Sequence, residues 1–243
     1  MPKTILFAQG CRDSQDITNN WYELFAYALT AGLLWTSGIC AVLTSPGIAG
    51  GLIFSINIVA CLSYGLMIFN TLYTKVDSVK YRNQTLIRLI DWLITFPLIQ
   101  IEILFLWGFN VGHESFNQLT LVLTVLALLV VLTQAFREFN NMLSATSSLS
   151  QIYFFGALCF FSVQLIVILM LERITCGDDI QCNALNYSFV VIWVLYPVVT
   201  IASEWAQPDA GSALFLVLDV AVCALDVYSK AFLAAVVAAR AEI

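Results

Sequence analysis

Seven long apolar segments occupy most of the 243 residues of this chain, and they restrict its fold more than any other feature. A helix needs about 20 mostly apolar residues to cross a bilayer. Because lipid offers backbone groups no hydrogen bonds, only helices and closed barrels span it. The segments cover residues 21–42, 50–73, 86–109, 119–136, 151–171, 187–203 and 213–238. The sequence therefore predicts an all-α membrane protein, a single seven-helix domain over residues 1–243 with a short polar N-terminus over residues 1–20.

Composition narrows the classes of partner. Hydrophobic residues make up 60% of the chain and charged residues 11%, which is too few charges to cover a soluble domain. The net charge is −6 and no basic run is present, so nucleic acid is not an expected partner. Residues 1–20 lack the apolar core of a signal peptide, so we expect the first helix to direct its own insertion.

The cysteines and the single histidine, His113, show no metal-ligand spacing, and no metal site is expected. Cys176 and Cys182 lie in one predicted loop. They could form a disulfide if that loop faces an oxidising compartment.

The last apolar segment contains a lysine near the middle of its length. Asp226 and Lys230 are four residues apart and therefore share one helix face. Ionisable residues within a membrane are costly and are functional candidates by default. A desolvated lysine amine is also a good nucleophile toward an aldehyde. This segment alone leaves two interpretations open, a structural ion pair or a lysine that binds a carbonyl ligand covalently.

The third segment carries ionisable residues along one helix face. Arg88, Asp91 and Thr95 follow one another at spacings of three and four residues. Asp91 and Glu102 are eleven residues apart, which returns them to nearly the same face, about 16 Å apart along the axis. Two carboxyl groups in line suit a proton relay through a group between them. The alternative is that Glu102 only meets water at the helix end.

Aromatic residues and prolines mark the sixth segment. Trp193 and Tyr196 share a face and could enclose a flat ligand, although aromatic residues at this spacing are also common in plain core packing. Pro97 and Pro197 lie inside the third and sixth segments, where each removes a backbone hydrogen bond and can kink the helix.

Three motifs together resemble the microbial rhodopsins, especially the bacteriorhodopsin and proteorhodopsin groups. In chain order they are Arg88-x-x-Asp91-Trp92-x-x-Thr95-x-Pro97, Trp193-x-x-Tyr196-Pro197 and Leu225-Asp226-x-x-x-Lys230. The likeness extends over the whole seven-helix chain. It implies a transport or sensory protein rather than an enzyme, with all-trans retinal bound to Lys230 as a protonated Schiff base.

The resemblance also implies a role for each polar residue around Lys230. Asp91 is expected to be the counterion and first proton acceptor, Asp226 the second counterion, and Glu102 the proton donor. Arg88 and Thr95 are expected to stabilise the counterions. The retinal pocket is expected to be lined by Trp92, Phe96, Ile99, Trp193, Tyr196, Pro197 and Thr200.

The sequence departs from the family pattern at two places. Thr200 stands where a pocket tryptophan is common, so one wall of the pocket is smaller. Glu204 matches one member of a glutamate pair associated with proton release, but the partner position is Leu218, with Asp219 beside it. Glu204 and Asp219 are therefore the candidate release residues, and the alternative for Asp219 is a water-exposed residue near the helix end.

At the positions that distinguish transport types in this family, the chain has Asp91, Thr95 and Glu102, a set that resembles the outward proton pumps. We therefore expect a light-driven outward proton pump of the plasma membrane, in contact with lipid and forming a trimer or pentamer as many relatives do. A light-gated ion channel and a sensory photoreceptor of the same fold are the alternatives.

The family usually places its N-terminus outside the cell, and we favour that orientation. It leaves most basic residues outside, against the positive-inside rule. The inverted orientation, which would reverse the direction of transport, is the alternative.

Overall fold

The computed structural model describes residues 3–45, 47–74, 77–107, 114–143, 147–178, 180–206, 213–232 and 236, without the side chains of residues 3–20 and of some positions near helix ends. Within these residues the chain forms seven α-helices and no β-strand. The helices are α1 (Lys3–Thr44), α2 (Ile48–Tyr73), α3 (Asp77–Leu106), α4 (Glu114–Met142), α5 (Ser147–Cys176), α6 (Ile180–Ala206) and α7 (Ala213–Asp226). A π-helical segment, Val227–Phe232, continues α7.

Helices α1 to α6 are each longer than the apolar segments that predicted them. α1 begins at Lys3, within the stretch expected to be a polar N-terminus, and α3 begins at Asp77, well before the apolar segment at residue 86. A helix satisfies its own backbone hydrogen bonds, so it continues past the apolar stretch into polar residues. In these six helices the apolar segment marks the part suited to lipid, and this part is shorter than the helix.

The seven helices form a closed ring. Each helix packs against the next along the chain, and α7 returns to pack against α1. Many large apolar side chains are exposed on the outside of the ring, among them Phe25, Leu62, Phe69, Ile152 and Phe155. Four helical stretches in the described chain are long and apolar enough to cross a membrane, namely Trp21–Thr44, Ile48–Tyr73, Ser115–Asn141 and Ser148–Leu171. The fold is that of an integral membrane protein.

The helices run back and forth along the axis of the ring, so the ring has two ends at which neighbouring helices are connected. We call the end where α3 begins the Lys80 side, and the end where α3 finishes the Glu102 side. Lys230 lies between them, because its amine reaches Asp91 near the middle of α3.

The interior contains two hydrophobic clusters of different character. One includes two tyrosines and is made of Tyr27, Leu34, Ala60, Tyr64, Met67 and Cys223. The other is larger and mostly aliphatic and aromatic hydrocarbon, with members that include Ile99, Ile103, Leu104, Phe116, Leu123, Ile168, Phe189 and Trp193. The tyrosine-bearing cluster therefore offers hydroxyl groups to buried ions, and the larger one is dominated by apolar side chains.

The π-helical segment carries Lys230. A π-helix has a wider turn than an α-helix and is common at functional sites. Asn57 of α2 donates its side-chain amide to the Lys230 carbonyl oxygen over 3.3 Å and to the Ile53 carbonyl oxygen over 2.9 Å. Asn57 therefore ties the backbone of the lysine to α2.

Two predictions from the sequence fall partly outside the described residues. Cys176 is buried and disulfide-bonded, whereas the side chain of Cys182 lies outside the described part of the chain. His113 also lies outside the described residues.

Candidate functional site

The centre of the site is a lysine amine between two carboxyl groups. Lys230 Nζ is 2.5 Å from Asp91 Oδ2 on α3 and 3.4 Å from Asp226 Oδ1, one helical turn before it. The three side chains are at most 2% exposed. Charges buried to this degree are stable in a protein only when they are paired and hydrogen-bonded. The structure therefore brings together the three residues that the sequence singled out on two separate helices.

Two tyrosines hold Asp226. The hydroxyl of Tyr64 donates to Asp226 Oδ2 and that of Tyr196 donates to Asp226 Oδ1, each over 2.6 Å. The Tyr196 hydroxyl also lies 3.0 Å from Ser229 Oγ. Both carboxyl oxygens of Asp226 thus accept hydrogen bonds, which fixes the orientation of this side chain beside Lys230.

Asp91 has fewer hydrogen bonds than Asp226. Its Oδ2 contacts Lys230, and its Oδ1 has no hydrogen-bond partner among the described residues. Thr95 donates its hydroxyl to the Asp91 backbone oxygen over 2.9 Å. Of the two carboxyl groups, only Asp91 has an oxygen without a hydrogen-bond partner among the described residues.

Arg88 pairs with Asp219 of α7. Arg88 Nη2 is 2.5 Å from Asp219 Oδ1, and the Tyr27 hydroxyl donates to Asp219 Oδ2 over 2.6 Å. The sequence predicted that Arg88 would stabilise Asp91 and Asp226. In the structure its ion pair is with Asp219, which lies closer to the Lys80 side than those two residues. Asp219 itself is 4% exposed, so it is a buried residue of the interior rather than a solvated one at the helix end.

A cavity of about 420 Å³ opens beside the Lys230 amine. This volume lies within the range of small-molecule sites, roughly 300–1,000 Å³. Helices α3 to α7 contribute to its lining. All the predicted pocket residues take part in it, namely Trp92, Phe96, Ile99, Trp193, Tyr196, Pro197 and Thr200.

Aromatic rings form the walls of this cavity. The ring centroids of Trp92 and Tyr196 are 5.8 Å apart in an edge-on arrangement, and those of Phe96 and Trp193 are 4.6 Å apart. Phe161 of α5 stacks on Trp193 at 6.2 Å. Such ring pairs contribute more to stability than the burial of their area alone. They therefore hold a shaped apolar slot next to the Lys230 amine.

Glu102 lies eleven residues after Asp91 on α3, about 16 Å farther along the helix axis. It is fully buried, and neither carboxyl oxygen has a hydrogen-bond partner among the described residues. Its neighbours along α3, Ile99 and Ile103, belong to the apolar cluster. The expectation that Glu102 only meets water at the helix end does not match this burial.

The other candidate release residue, besides Asp219, is Glu204. Glu204 lies in α6, but its side chain is outside the described part of the structure.

Sequence reasoning missed Tyr27, Tyr64 and Asn57. Each is a polar side chain inside an otherwise apolar segment, and that signal could have marked them. Their partners lie on α7 or in the π-helical segment, 192, 162 and 173 residues away along the chain. The contacts were therefore not readable from spacing along one helix.

Comparisons with known proteins agree on one family. The model of the bacteriorhodopsin-like protein family matches residues 20–242. Among solved structures, the chain is similar to thermophilic rhodopsin at a TM-score of 0.78 and 17% identity, covering 92% of this chain and 94% of that one. It is similar to xanthorhodopsin, described as a light-driven ion pump with dual chromophore, at a TM-score of 0.73 and 15% identity over 93% and 94%.

A third similar structure is a light-driven proton pump from Leptosphaeria maculans, with a TM-score of 0.64 and 17% identity over 90% of this chain and 94% of that one. At these identities the likeness establishes the fold alone. No curated protein matched the chain.

Proposed function

The chain belongs to the bacteriorhodopsin-like family of retinal-binding membrane proteins, and on that premise we propose that it is a light-driven outward proton pump of the cell membrane. One observation carries the proposal. Asp91 contacts the Lys230 amine at 2.5 Å, while Glu102 is buried eleven residues farther along α3. Along α3 the two carboxyl groups are about 16 Å apart. An acceptor on one side and a donor on the other are what directional transfer of a proton requires.

The residues present fit retinal. Its aldehyde needs a buried amine beside an apolar, aromatic-lined cavity, and Lys230 Nζ meets that description. The positive charge on the resulting nitrogen needs anionic neighbours, which Asp91 and Asp226 provide. When bound at Lys230, retinal supplies the light-driven change of shape and of nitrogen basicity.

Asp91 and Asp226 have different tasks in this proposal. Asp226 is the counterion that does not take the proton, because Tyr64 and Tyr196 occupy both of its oxygens. Asp91 takes the proton from the nitrogen of Lys230, since its Oδ1 has no hydrogen-bond partner among the described residues. Asp226 therefore keeps a counterion beside Lys230 when Asp91 becomes neutral.

Glu102 is the donor that returns a proton to the nitrogen of Lys230. A donor must carry its proton in the dark. A buried carboxyl group with no cation beside it meets this requirement, because burial penalises the charged form. The apolar neighbours of Glu102 also slow any leak of protons from that side.

The outward direction depends on which side faces the cell exterior. We propose that the Lys80 side faces outward, so that the proton leaves from the Asp91 half of the bundle. In this orientation six basic residues belong to segments of the sequence expected outside the cell, which is against the positive-inside rule. Lys80, however, is buried and paired with Glu23, so it does not act as a free surface charge.

The test is the pH of an unbuffered suspension of cells that express the protein with added retinal, recorded under illumination. We expect acidification that a protonophore abolishes. Alkalinisation abolished by a protonophore would instead mean inward pumping and an inverted chain. Alkalinisation enhanced by a protonophore, or no change with a coloured protein, would contradict proton pumping and favour transport of another ion, a channel or a sensor.

An Asp91→Asn variant provides the matched control for the acceptor. The amide keeps the shape of the side chain but cannot take a proton, so the light-driven pH change should disappear while a coloured protein still forms. Normal acidification by this variant would contradict the role of Asp91.

A further inference from the structure

Another buried ion pair lies beyond the one between Arg88 and Asp219, toward the Lys80 side of the bundle. Lys80 Nζ is 3.2 Å from Glu23 Oε2, and both side chains are 2% exposed. The Tyr81 hydroxyl donates to Glu23 Oε1 over 3.0 Å. A buried ion pair is a poor source of stability compared with apolar packing, because both charges lose their hydration. Stability alone is therefore a weak explanation for placing this pair inside the bundle.

This ion pair is next to the one between Arg88 and Asp219. Glu23 and Tyr27 are four residues apart on α1, so they share a face with an axial separation of about 6 Å. Tyr27 donates to Asp219, and both Tyr27 and Asp219 interact electrostatically with Glu23. Helices α1, α3 and α7 thus bring two carboxylates and two cations together around one tyrosine.

Neighbouring side chains fix the position of Lys80. The Asn70 amide of α2 donates to the Lys80 carbonyl oxygen over 2.8 Å, and Gln84 donates to Thr71 over 3.1 Å. These bonds join the end of α2 to the start of α3. The ammonium group that faces Glu23 therefore extends from a braced backbone.

The cluster also leads from the centre of the bundle to its surface. Asp219 pairs with Arg88, which is one turn before Asp91 on α3. Glu23 pairs with Lys80, which lies eleven residues before Asp91 on α3, about 16 Å along the helix axis. Beside Glu23 on α1, Tyr22 is 58% exposed. A proton that reaches Glu23 is therefore close to bulk water.

We infer that Glu23 is the terminal carboxylate of the proton exit route, reached from Asp91 through Asp219 and Tyr27. This inference rests on the proposed function. Asp219 first takes the proton that Asp91 releases. The Tyr27 hydroxyl, which donates to Asp219 Oδ2, then turns, takes this proton from Asp219 and gives its own toward Glu23, so Tyr27 ends unchanged. Glu23 gains one proton and then gives it to bulk water, so each carboxylate returns to its starting state. Lys80 and Tyr81 are positioning residues that hold the Glu23 carboxylate.

The inference competes with a purely structural role for the ion pair. Glu23→Gln removes the acceptor but leaves Lys80 buried without its anion, which by itself could disturb the fold. The double variant Glu23→Gln with Lys80→Met removes both charges, so the charge balance is restored and the relay stays broken. Glu23→Asp keeps a carboxylate, and Arg82→Gln serves as a control because it removes an exposed charge two residues from Lys80.

The measurement is the time at which a proton appears in the medium after a single flash, followed with a water-soluble pH indicator on purified protein in vesicles or nanodiscs. We expect both Glu23→Gln and the double variant to delay this proton at least tenfold. Glu23→Asp should recover most of the rate, and Arg82→Gln should release at the parental rate. Time-resolved infrared spectra should contain a carboxyl band that is present in the parent and absent in both variants that lack Glu23.

Proton release at the parental rate by the double variant would overturn the inference, because a charge-balanced cluster without Glu23 would then be sufficient for fast release. An unchanged carboxyl infrared spectrum in that variant would also overturn it. A parent protein that releases no proton at all would overturn the proposed function and the inference with it. The two failures are distinguishable because only the second appears in the parent.

Discussion

The two ends of the bundle treat their carboxyl groups in opposite ways. Toward the Lys80 side, Asp226, Asp219 and Glu23 each accept a hydrogen bond from a tyrosine and lie beside a cation. Toward the Glu102 side, Glu102 is fully buried and has no hydrogen-bond partner among the described residues. Lys230 and Asp91 lie at the boundary between these two environments.

The difference separates two requirements of a one-way proton path. A carboxylate that must accept a proton has to exist as an anion, and a buried anion needs cations and donors around it. A carboxyl group that must store a proton is better kept without them, because apolar surroundings favour its neutral form. The contrast between the two ends is therefore the physical basis we propose for direction, and the predictions below test it from the largest effect to the smallest.

Replacing the residue at the boundary should give the largest effect. Lys230→Ala removes the amine to which we propose that retinal attaches, so the purified protein should show no stable visible absorption band after retinal is added. Circular dichroism would check that the helices still form, and the Arg82→Gln variant should keep its band. A normal visible band in Lys230→Ala would contradict the attachment site.

Removing the stored proton on the Glu102 side should slow the recovery of the dark state. In Glu102→Gln the proton must come directly from the medium, so the visible band should recover more than tenfold more slowly after a flash. The recovery rate should also fall about tenfold for each unit of increasing pH, because it follows the proton concentration.

A neighbouring amide provides the matched control for this prediction. Gln100 is also fully buried on α3, and neither of its side-chain polar atoms has a hydrogen-bond partner among the described residues. Gln100→Leu should leave the recovery rate within about twofold of the parent. If recovery in Glu102→Gln is as fast as in the parent at high pH, Glu102 is not the donor.

Breaking an ion pair on the Lys80 side should cost stability, in contrast to Glu102→Gln. Arg88→Gln leaves Asp219 buried without its cation, and removal of one partner from a buried pair costs about 3–5 kcal/mol. The expected result is a marked fall in the temperature at which the visible band is lost. Glu102→Gln removes no ion pair or hydrogen bond seen among the described residues, so it should change this temperature little.

A double variant separates the ion pair from the general importance of Arg88. Arg88→Gln combined with Asp219→Asn removes both charges and should recover part of the lost stability. Equal destabilisation by Glu102→Gln and Arg88→Gln would remove the proposed contrast between the two ends.

The smallest expected effect concerns the backbone that carries the lysine. Asn57→Ala removes the amide that donates to the Lys230 carbonyl oxygen, which costs about 1–3 kcal/mol when a buried acceptor loses its partner. The protein should still bind retinal, with a modest fall in thermal stability and faster exchange of the backbone amides near residue 230. Unchanged exchange in Asn57→Ala would mean that this bond does not hold the π-helical segment.

Much of the centre was predictable because it follows from spacing along single helices. Asp226 and Lys230 share a face of the last segment, as do Asp91 and Thr95 on α3, and the structure brings these residues together. The seven predicted pocket residues line the cavity beside Lys230, although their role in binding stays a prediction. The predicted helix ends were displaced because polar residues continue the helices past their apolar segments.

The sequence by itself determined the class of fold, the number of apolar segments, and the lysine with its two carboxylates. Hydrophobic length and helical periodicity encode these features locally. Only the tertiary structure decided that Arg88 pairs with Asp219, that Tyr64 holds Asp226, and that Glu23 and Lys80 meet inside the bundle. These pairings depend on how each helix is rotated and shifted against its neighbours, and packing of the whole ring sets that rotation and shift.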